Sequence, residues 1–305
     1  MNWPDNKSFA FTIIDDTDNA RLENIKPVYD FLYEKNILTT KTVWVYPPRD
    51  RFTGDCLMDE NYYNFVIDLK RKGFEIALHG VGSGDFKRKE ILDGLEIFKS
   101  KTGKYPDIHI NHSKNPDNIY WGNQSFHSLL KLYSKLRNSK ENFYGADEKS
   151  EYFWGDFVKE NISYIRLWAC NGINTLKFDP KMPFRDKNKK YANFLFSSSD
   201  GSDVEKFNKL LEKKNIDRLK KEKGLCIVYV HFASGFVKEG VLNKEFQEKI
   251  SYLAQQNGWF VPALEILNHI KSQKKNEYVS DLYLMKQEAK IISRRFKSRI
   301  NSLFR

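Results

Sequence analysis

The sequence contains few cysteines and no long apolar run, and each shortage excludes a class of protein. Three of the 305 residues are cysteines, and none forms a Cys-x-x-Cys pair, so a disulfide framework is not expected. Their scattered positions favour reduced, buried thiols. No window approaches the roughly 20 apolar residues that a membrane-spanning helix needs, and no apolar stretch precedes the first strand. We therefore expect a soluble, cytoplasmic protein.

Charge is plentiful but unevenly distributed. The 51 Lys and Arg residues exceed the 40 Asp and Glu residues, and the resulting net charge of +11 favours anionic or phosphate-rich partners. Residues 271–305 contain ten basic and three acidic residues and supply most of this excess. Elsewhere basic residues alternate with acids along helical patterns, and no RRM, KH or helix-turn-helix signature occurs. We expect no nucleic-acid partner.

Short apolar runs alternate with amphipathic helical patterns along the chain. Such runs are typical of parallel strands that are buried on both faces. Glycine follows four of the helical patterns, as left-handed C-terminal caps would require, at Gly73, Gly103, Gly224 and Gly258. The alternation predicts an α/β fold, a distorted (β/α) barrel rather than an open sheet. Strands are predicted at 8–14, 41–46, 75–78, 107–111, 164–169, 192–197, 225–230 and 259–261, and helices at 22–35, 61–72, 87–102, 204–223 and 243–256.

The last segment has a different pattern, which predicts a catalytic domain over residues 1–275 and a basic amphipathic helix over residues 276–305. Apolar residues recur there at spacings of three and four, opposite several arginines and lysines. Packing on the domain or on a partner chain is one interpretation, and peripheral contact with an anionic membrane through residues 279–305 is the other. The apolar stripe comprises Leu282, Met285, Ala289, Ile292, Phe296, Ile300 and Leu303.

Residues 113–163 form an insertion rich in aromatic residues, with a helical pattern near 126–136. Two interpretations stay open: a substrate wall beside the barrel mouth, or a packed loop.

Carboxylates and imidazoles follow several of the apolar runs. Asp15 and Asp16 end the first run, and His79, His112 and His231 follow later ones. In a barrel these ends meet on one face, where unpaired polar groups are costly, so a metal or a proton-transfer role is the economical explanation. Taken singly, the Asp pair also fits a helix N-cap and each histidine a structural hydrogen bond.

These residues resemble the motifs of the polysaccharide deacetylases of the NodB-homology type, carbohydrate esterase family 4. Ile13-Ile14-Asp15-Asp16 resembles the family's Thr-Phe-Asp-Asp motif, and the resemblance implies that Asp15 is the general base and Asp16 a metal ligand. Ile227 to His231 resembles its last motif, which makes His231 the general acid. The family's second imidazole is missing, because Ser83 stands four residues after His79.

The resemblance implies a metal-dependent N-deacetylase. We hypothesise that His112 replaces the missing imidazole, so that Asp16, His79 and His112 bind a divalent metal, with zinc as the expected ion. His109, Asn111, Asn118 and Trp121 are expected to contact substrate. The fourth family motif has two candidate positions, Trp154-Gly155-Asp156 and Leu167-Trp168.

The stretch from His109 to Gly122 is similar to a WbmS-like branch associated with O-antigen and capsule gene clusters. The expected substrate is an acetylated sugar on a nucleotide-linked or lipid-linked glycan. The alternative is a deacetylase-like carbohydrate-binding protein that has lost catalysis.

Overall fold

The chain folds as a closed barrel of seven parallel strands surrounded by helices. A computed structural model describes residues 1–126, 143–275 and 277–303, and within helix 281–303 it describes side chains up to Ser293. Strands β1 to β7 follow one another around the barrel in chain order, and β7 closes it by pairing with β1. This confirms the predicted α/β barrel.

An eighth parallel strand, β10, pairs with the beginning of β1. One edge of β1 pairs with β7 from Ala10 to Asp15, while its other edge pairs first with β10 and then with β2. A small hairpin, β8–β9, lies outside the barrel. The strands are β1 Phe9–Asp15, β2 Thr40–Val43, β3 Glu75–Leu78, β4 Ile108–His109, β5 Tyr164–Cys170, β6 Phe194–Asp200, β7 Leu225–Val230, β8 Val237–Lys238, β9 Val241–Leu242 and β10 Gly258–Phe260.

Helices cover the outside of the barrel, and their apolar faces pack against the strands. The residues that make this core are almost all Ile, Leu, Val and Phe, as burial from both sides of a parallel sheet requires. The helices are α1 Leu22–Glu34, α2 Glu60–Arg71, α3 Arg88–Thr102, α4 Gly155–Asn161, α5 Thr175–Phe178, α6 Val204–Leu210, α7 Lys213–Lys221, α8 Lys244–Ala254, α9 Ala263–Ser272 and α10 Asp281–Leu303.

Two local expectations need correction. The single helix predicted over 204–223 is divided in two, because Glu212 is extended and the Asn215 amide donates to the carbonyls of Lys209 and Leu210 at the end of α6. Of the four glycines expected to be left-handed, Gly73 and Gly103 are, with φ of 95° and 89°. Gly224 directly precedes β7 and Gly258 begins β10, and space is limiting at both: a Cβ on Gly224 would lie 2.5 Å from the Asn174 side chain.

The C-terminal helix α10 packs on the barrel by a different face from the predicted stripe. Leu284 and Ile291 are buried, whereas Leu282 is 61% exposed. Tyr283 and Lys290 fix which face of α10 is buried, because both hydrogen-bond to the segment around α5. The Tyr283 hydroxyl donates to Asp179, and the Lys290 ammonium donates to the Phe178 carbonyl. The side chains of the stripe beyond Ser293 and of the arginines opposite it are not among the described ones, and the helix predicted near 126–136 lies outside the described residues from position 127 onward.

Within the described ranges, no helix has both the length and the apolar character that crossing a bilayer requires. Cys56, Cys170 and Cys226 are buried and form no disulfide with one another, as their spacing predicted.

Candidate metal centre and substrate cavity

Three imidazoles converge on one carboxylate at the mouth of the barrel. Asp18 lies in the loop after β1, His79 follows β3 directly, His112 lies three residues after β4, and His231 follows β7. The Nε2 atom of His112 is 2.6 Å from one oxygen of Asp18, and those of His79 and His231 are 3.1 and 3.3 Å from the other. Because the strands are parallel, their carboxyl ends bring these distant residues to one edge.

Each imidazole is oriented by a second hydrogen bond from its other nitrogen. The Nδ1 of His79 lies 3.1 Å from the Ile110 carbonyl, and the Nδ1 of His231 lies 2.8 Å from the Ser202 carbonyl. The Nδ1 of His112 is 3.1 Å from the amide oxygen of Asn115. A carbonyl oxygen only accepts, so Nδ1 of His79 and of His231 carries a proton, and Nε2 is the ring atom that faces Asp18.

The charges of this cluster support one another. Burial opposes ionisation of Asp18, but hydrogen bonds from His112, His231 and His79 outweigh it and hold the pKa of the carboxyl well below its ordinary value. Burial also opposes protonation of His231, yet the Asp18 and Asp16 carboxylates raise its pKa to about 9. Burial likewise opposes protonation of His112, but the hydrogen bond to Asp18 and its negative charge raise the pKa of the imidazole. At neutral pH His231 is therefore a cation that holds a transferable proton.

Asp16 faces the cavity as part of an ion pair that the sequence did not predict. The two terminal guanidinium nitrogens of Arg166, on β5, donate hydrogen bonds to the Asp16 carboxylate at 2.9 and 2.5 Å. The guanidinium also lies over the Tyr229 ring, 4.7 Å from its centroid. Asp16 approaches Asp18 and His231 closely enough for the three to form a second possible ligand group. The carboxylate of Asp16 is thus fixed beside the histidine cluster.

Asp15 points the other way, which corrects the expectation that it reaches the reacting groups. Alternate side chains of a strand project to opposite faces, and Asp15 projects toward the surrounding helices. Its carboxylate accepts hydrogen bonds from Lys41 on β2 at 2.8 Å, from the Tyr29 hydroxyl on α1 at 2.9 Å and from the Phe232 backbone N–H at 3.0 Å. Asp15 and Lys41 are both fully buried.

The cavity in front of this cluster has a volume of about 430 Å³ and mixed polar and aromatic walls. That volume lies within the usual range for small-molecule sites. Two of the four predicted substrate contacts, Asn111 and Trp121, line it. Its aromatic and apolar walls are Phe52, Trp121, Leu167, Trp168, Ala169 and Tyr229.

The other two predicted substrate contacts lie in the protein interior. His109 is 1% exposed, and its burial lowers the pKa of the imidazole to about 3. Its Nε2 donates a hydrogen bond to the side-chain oxygen of Asn111, and its ring packs edge-on against Trp154. Asn118 bonds both the N–H and the carbonyl of His112, and so fixes the loop that carries this imidazole.

Ser83 does not approach the imidazoles, because its hydroxyl donates to Asp50 at 2.7 Å. Part of the aromatic insertion borders the cavity and part packs inside the protein: Ser113 and Trp121 line the cavity, while Phe143 and Trp154 are buried. Of the two candidate positions for the fourth motif, Leu167-Trp168 borders the cavity, whereas Asp156 pairs with Arg88 near the surface.

Sequence reasoning missed Asp18 and Arg166. Asp18 had a signal, since it is the third carboxylate of Asp15-Asp16-Thr17-Asp18, and a loop residue three positions beyond the strand end still reaches the barrel mouth. Arg166 is the one charged residue in the apolar strand Tyr164–Cys170, and a cation there needs a buried partner.

The residues present fit a divalent cation. Asp18, His79 and His112 offer one oxygen and two nitrogens within 4.8 Å of one another, all from buried side chains. One carboxylate with two imidazoles is a usual donor set for zinc and similar metals. The hydrogen bonds from Nδ1 of His79 and His112 are of the kind that orient metal-binding imidazoles.

Comparison with solved structures identifies the fold. The chain resembles a polysaccharide deacetylase structure from Mycobacterium smegmatis, with a TM-score of 0.51 and 12% identity over 92% of this chain and 96% of that one. A polysaccharide deacetylase structure from Pseudomonas aeruginosa PAO1 gives 0.52 and 12% over 89% and 94%, and Puue allantoinase gives the same TM-score and identity over 89% and 93%. The protein therefore has the barrel fold of the polysaccharide deacetylases.

No family model matches the sequence. No curated protein matches it either.

Proposed function

We propose that this protein is a metal-dependent deacetylase that hydrolyses the N-acetyl group of a sugar. The observation that carries the proposal is the convergence of three Nε2 atoms on Asp18, beside the Asp16–Arg166 pair, at the mouth of a deacetylase-type barrel. Clusters of buried titratable groups with perturbed pKa values mark functional sites.

Asp18, His79 and His112 would hold the cation, in a set that differs from the Asp16, His79 and His112 predicted from the sequence. Zinc is the ion we expect in this nitrogen and oxygen set. When bound, a divalent cation supplies Lewis acidity, which polarises a carbonyl group and lowers the pKa of water.

The remaining steps belong to residues of this chain. Asp16 accepts the proton of the attacking water, and the two hydrogen bonds from Arg166 fix its carboxylate in place. His231 donates its Nε2 proton to the sugar nitrogen as the carbon–nitrogen bond breaks. The products are acetate and the free amino sugar. Asp16 thus replaces Asp15 as the general base in this proposal.

The cavity walls favour a sugar substrate. Trp121, Trp168 and Tyr229 offer aromatic surfaces on which the apolar face of a pyranose ring can pack, and about 430 Å³ accommodates one or two sugar residues. We propose a nucleotide-linked or lipid-linked intermediate of O-antigen or capsule synthesis, modified in the cytoplasm, as the WbmS-like resemblance implies.

Peripheral membrane contact through residues 279–305 is part of the same proposal. Ten basic residues between Lys271 and Arg305 support attraction to an anionic lipid surface. Flotation with vesicles containing anionic lipid, using the full chain and a chain that ends at residue 278, tests this contact. Equal recovery of both proteins would contradict it.

The central experiment measures acetate released from N-acetylated amino sugars, free, nucleotide-linked and lipid-linked, by zinc-loaded protein. We expect Asp18→Asn to lose both bound zinc and acetate release, because the amide carries no charge for the cation. Asp93→Asn, on the exposed surface of α3, is the matched control and should retain both. Sugar binding without acetate release by zinc-loaded wild type would instead support the carbohydrate-binding alternative.

A further inference from the structure

The buried pair of Asp15 and Lys41 has a connection to the cavity that the proposed chemistry does not use. The two residues face each other across β1 and β2, 2.8 Å apart, and both are completely shielded from solvent. Lys41 and Tyr29 engage one oxygen of the carboxylate, and the Phe232 N–H engages the other. Phe232 is the residue directly after His231.

The pair is not explained by stability alone. Two charges lose their hydration when they are buried, and an apolar pair of similar volume is often as stable or more so. What an apolar pair cannot provide is an acceptor for the Phe232 N–H. That N–H lies beyond the end of the β1–β7 ladder, whose last backbone bond runs from the Asp16 N–H to the Val230 carbonyl at 2.8 Å.

The chain around His231 is consequently held from two sides. On one side the Ser202 carbonyl accepts from both the backbone N–H and the Nδ1 of His231, at 3.2 and 2.8 Å. On the other side Asp15 holds the next peptide unit, and the Phe232 ring packs against Tyr29, the same residue that bonds Asp15, at 5.4 Å between centroids. A displacement of this turn would move the His231 ring relative to Asp18.

We propose that Asp15, with Lys41 as its counter-ion, is a positioning residue that orients His231 for proton donation to the leaving group. This inference rests on the proposed deacetylase function. Asp15 lies on the opposite face of the sheet from the cavity, and it acts on His231 through the backbone N–H of Phe232.

The test compares two double variants on two acetyl substrates. Lys41→Met with Asp15→Leu removes both charges and the acceptor, whereas Lys41→Met with Asp15→Asn removes the charges but keeps a carbonyl oxygen for Phe232. One substrate is an N-acetylated amino sugar, whose amine leaving group needs a proton. The other is 4-nitrophenyl acetate, whose leaving group departs without one.

We expect the Leu double variant to lose about 10²-fold in kcat on the amide, the scale of a misplaced catalytic group, and less than about fivefold on the ester. The Asn double variant should recover at least about tenfold of the lost amide activity. Zinc content and thermal unfolding, measured on both variants, should show that each is folded and that the Asp18 site is intact.

Equal losses on amide and ester, or full amide activity in the Leu double variant, would overturn the positioning assignment. Failure of the Asn variant to recover amide activity would overturn it as well. Wild-type inactivity on both substrates would instead refute the proposed function, so the two failures are distinguishable.

Discussion

Two buried ion pairs begin at neighbouring aspartates and lie on opposite faces of one sheet. The helix-side pair, Asp15 with Lys41, is closed off from solvent and has its hydrogen bonds satisfied by Tyr29 and Phe232. The cavity pair, Asp16 with Arg166, borders a cavity and lies beside the histidine cluster. The comparison teaches that adjacent, chemically identical side chains acquire different uses from the pleat of the strand alone.

The largest expected difference between the pairs is in turnover. Asp16→Asn should lower kcat for acetate release by about 10²–10⁴-fold, because an amide does not accept the proton of the attacking water. Bound zinc should not change, since Asp16 lies outside the Asp18, His79 and His112 group. Asp15→Asn is the matched variant on the other face of the sheet. Equal kcat losses in the two variants would contradict the division between the faces.

The helix-side pair should contribute more than the cavity pair to the free energy of unfolding. Lys41→Met leaves the Asp15 carboxylate buried without its cation, and we expect the free energy of unfolding to fall by about 3–5 kcal/mol. Urea unfolding measures this change, and adding Asp15→Leu should restore most of it. Lys89→Met breaks an exposed pair with Asp93 and should leave the free energy of unfolding almost unchanged, because solvent screens that pair. A Lys41→Met effect no larger than that control would refute the expectation.

The polar network on the cavity side extends to Asn115, which fixes the His112 ring and also bonds the Gly82 carbonyl and the Gly84 N–H. Asn115→Ala should weaken zinc binding about 10–100-fold, because His112 loses its orienting partner. Competition with a chromophoric chelator measures the affinity. Asn161→Ala, at the end of α4, is the control, and an unchanged affinity in both variants would exclude Asn115 from this role.

A partly buried carboxylate, Glu75 at the start of β3, sharpens the comparison because it bonds two neutral donors, the Thr40 hydroxyl and the Leu264 backbone N–H. Burial raises its pKa to about 7, from 4.5. The folded state therefore holds its proton more tightly, and the contribution of Glu75 to stability, complete below pH 4.5, is lost as the pH rises toward 7.

Glu75→Gln should remove this pH dependence and raise the free energy of unfolding at pH 8 by about 1–3 kcal/mol. Urea unfolding of wild type and variant at pH 5 and pH 8 provides the measurement. If the free energy of unfolding changed by the same amount between pH 5 and pH 8 in wild type and variant, groups other than Glu75 would govern the pH dependence.

Much of the fold was predictable because buried parallel strands leave a clear pattern. The strands at 75–78 and 225–230 have the predicted bounds, and the others overlap their predictions. Several short elements were missed. The helices α4 and α5 have seven and four residues, too few for a helical period to show, and the strands β8 and β9 have two each. The ten-residue helix α9 was also not among the predicted helices. The division of the helix at Glu212 depends on a side-chain bond from Asn215, which periodicity does not encode.

The sequence by itself determined an alternating barrel whose strands end in carboxylates and imidazoles, because burial on both faces and the polar ends of strands are local properties. Only the tertiary structure decided which of those groups meet. Strand register turned Asp15 toward Lys41 and Asp16 toward Arg166, and loop path brought Asp18 to His79, His112 and His231. Such pairings join residues up to about 200 positions apart, and they follow from barrel closure, which no local pattern records.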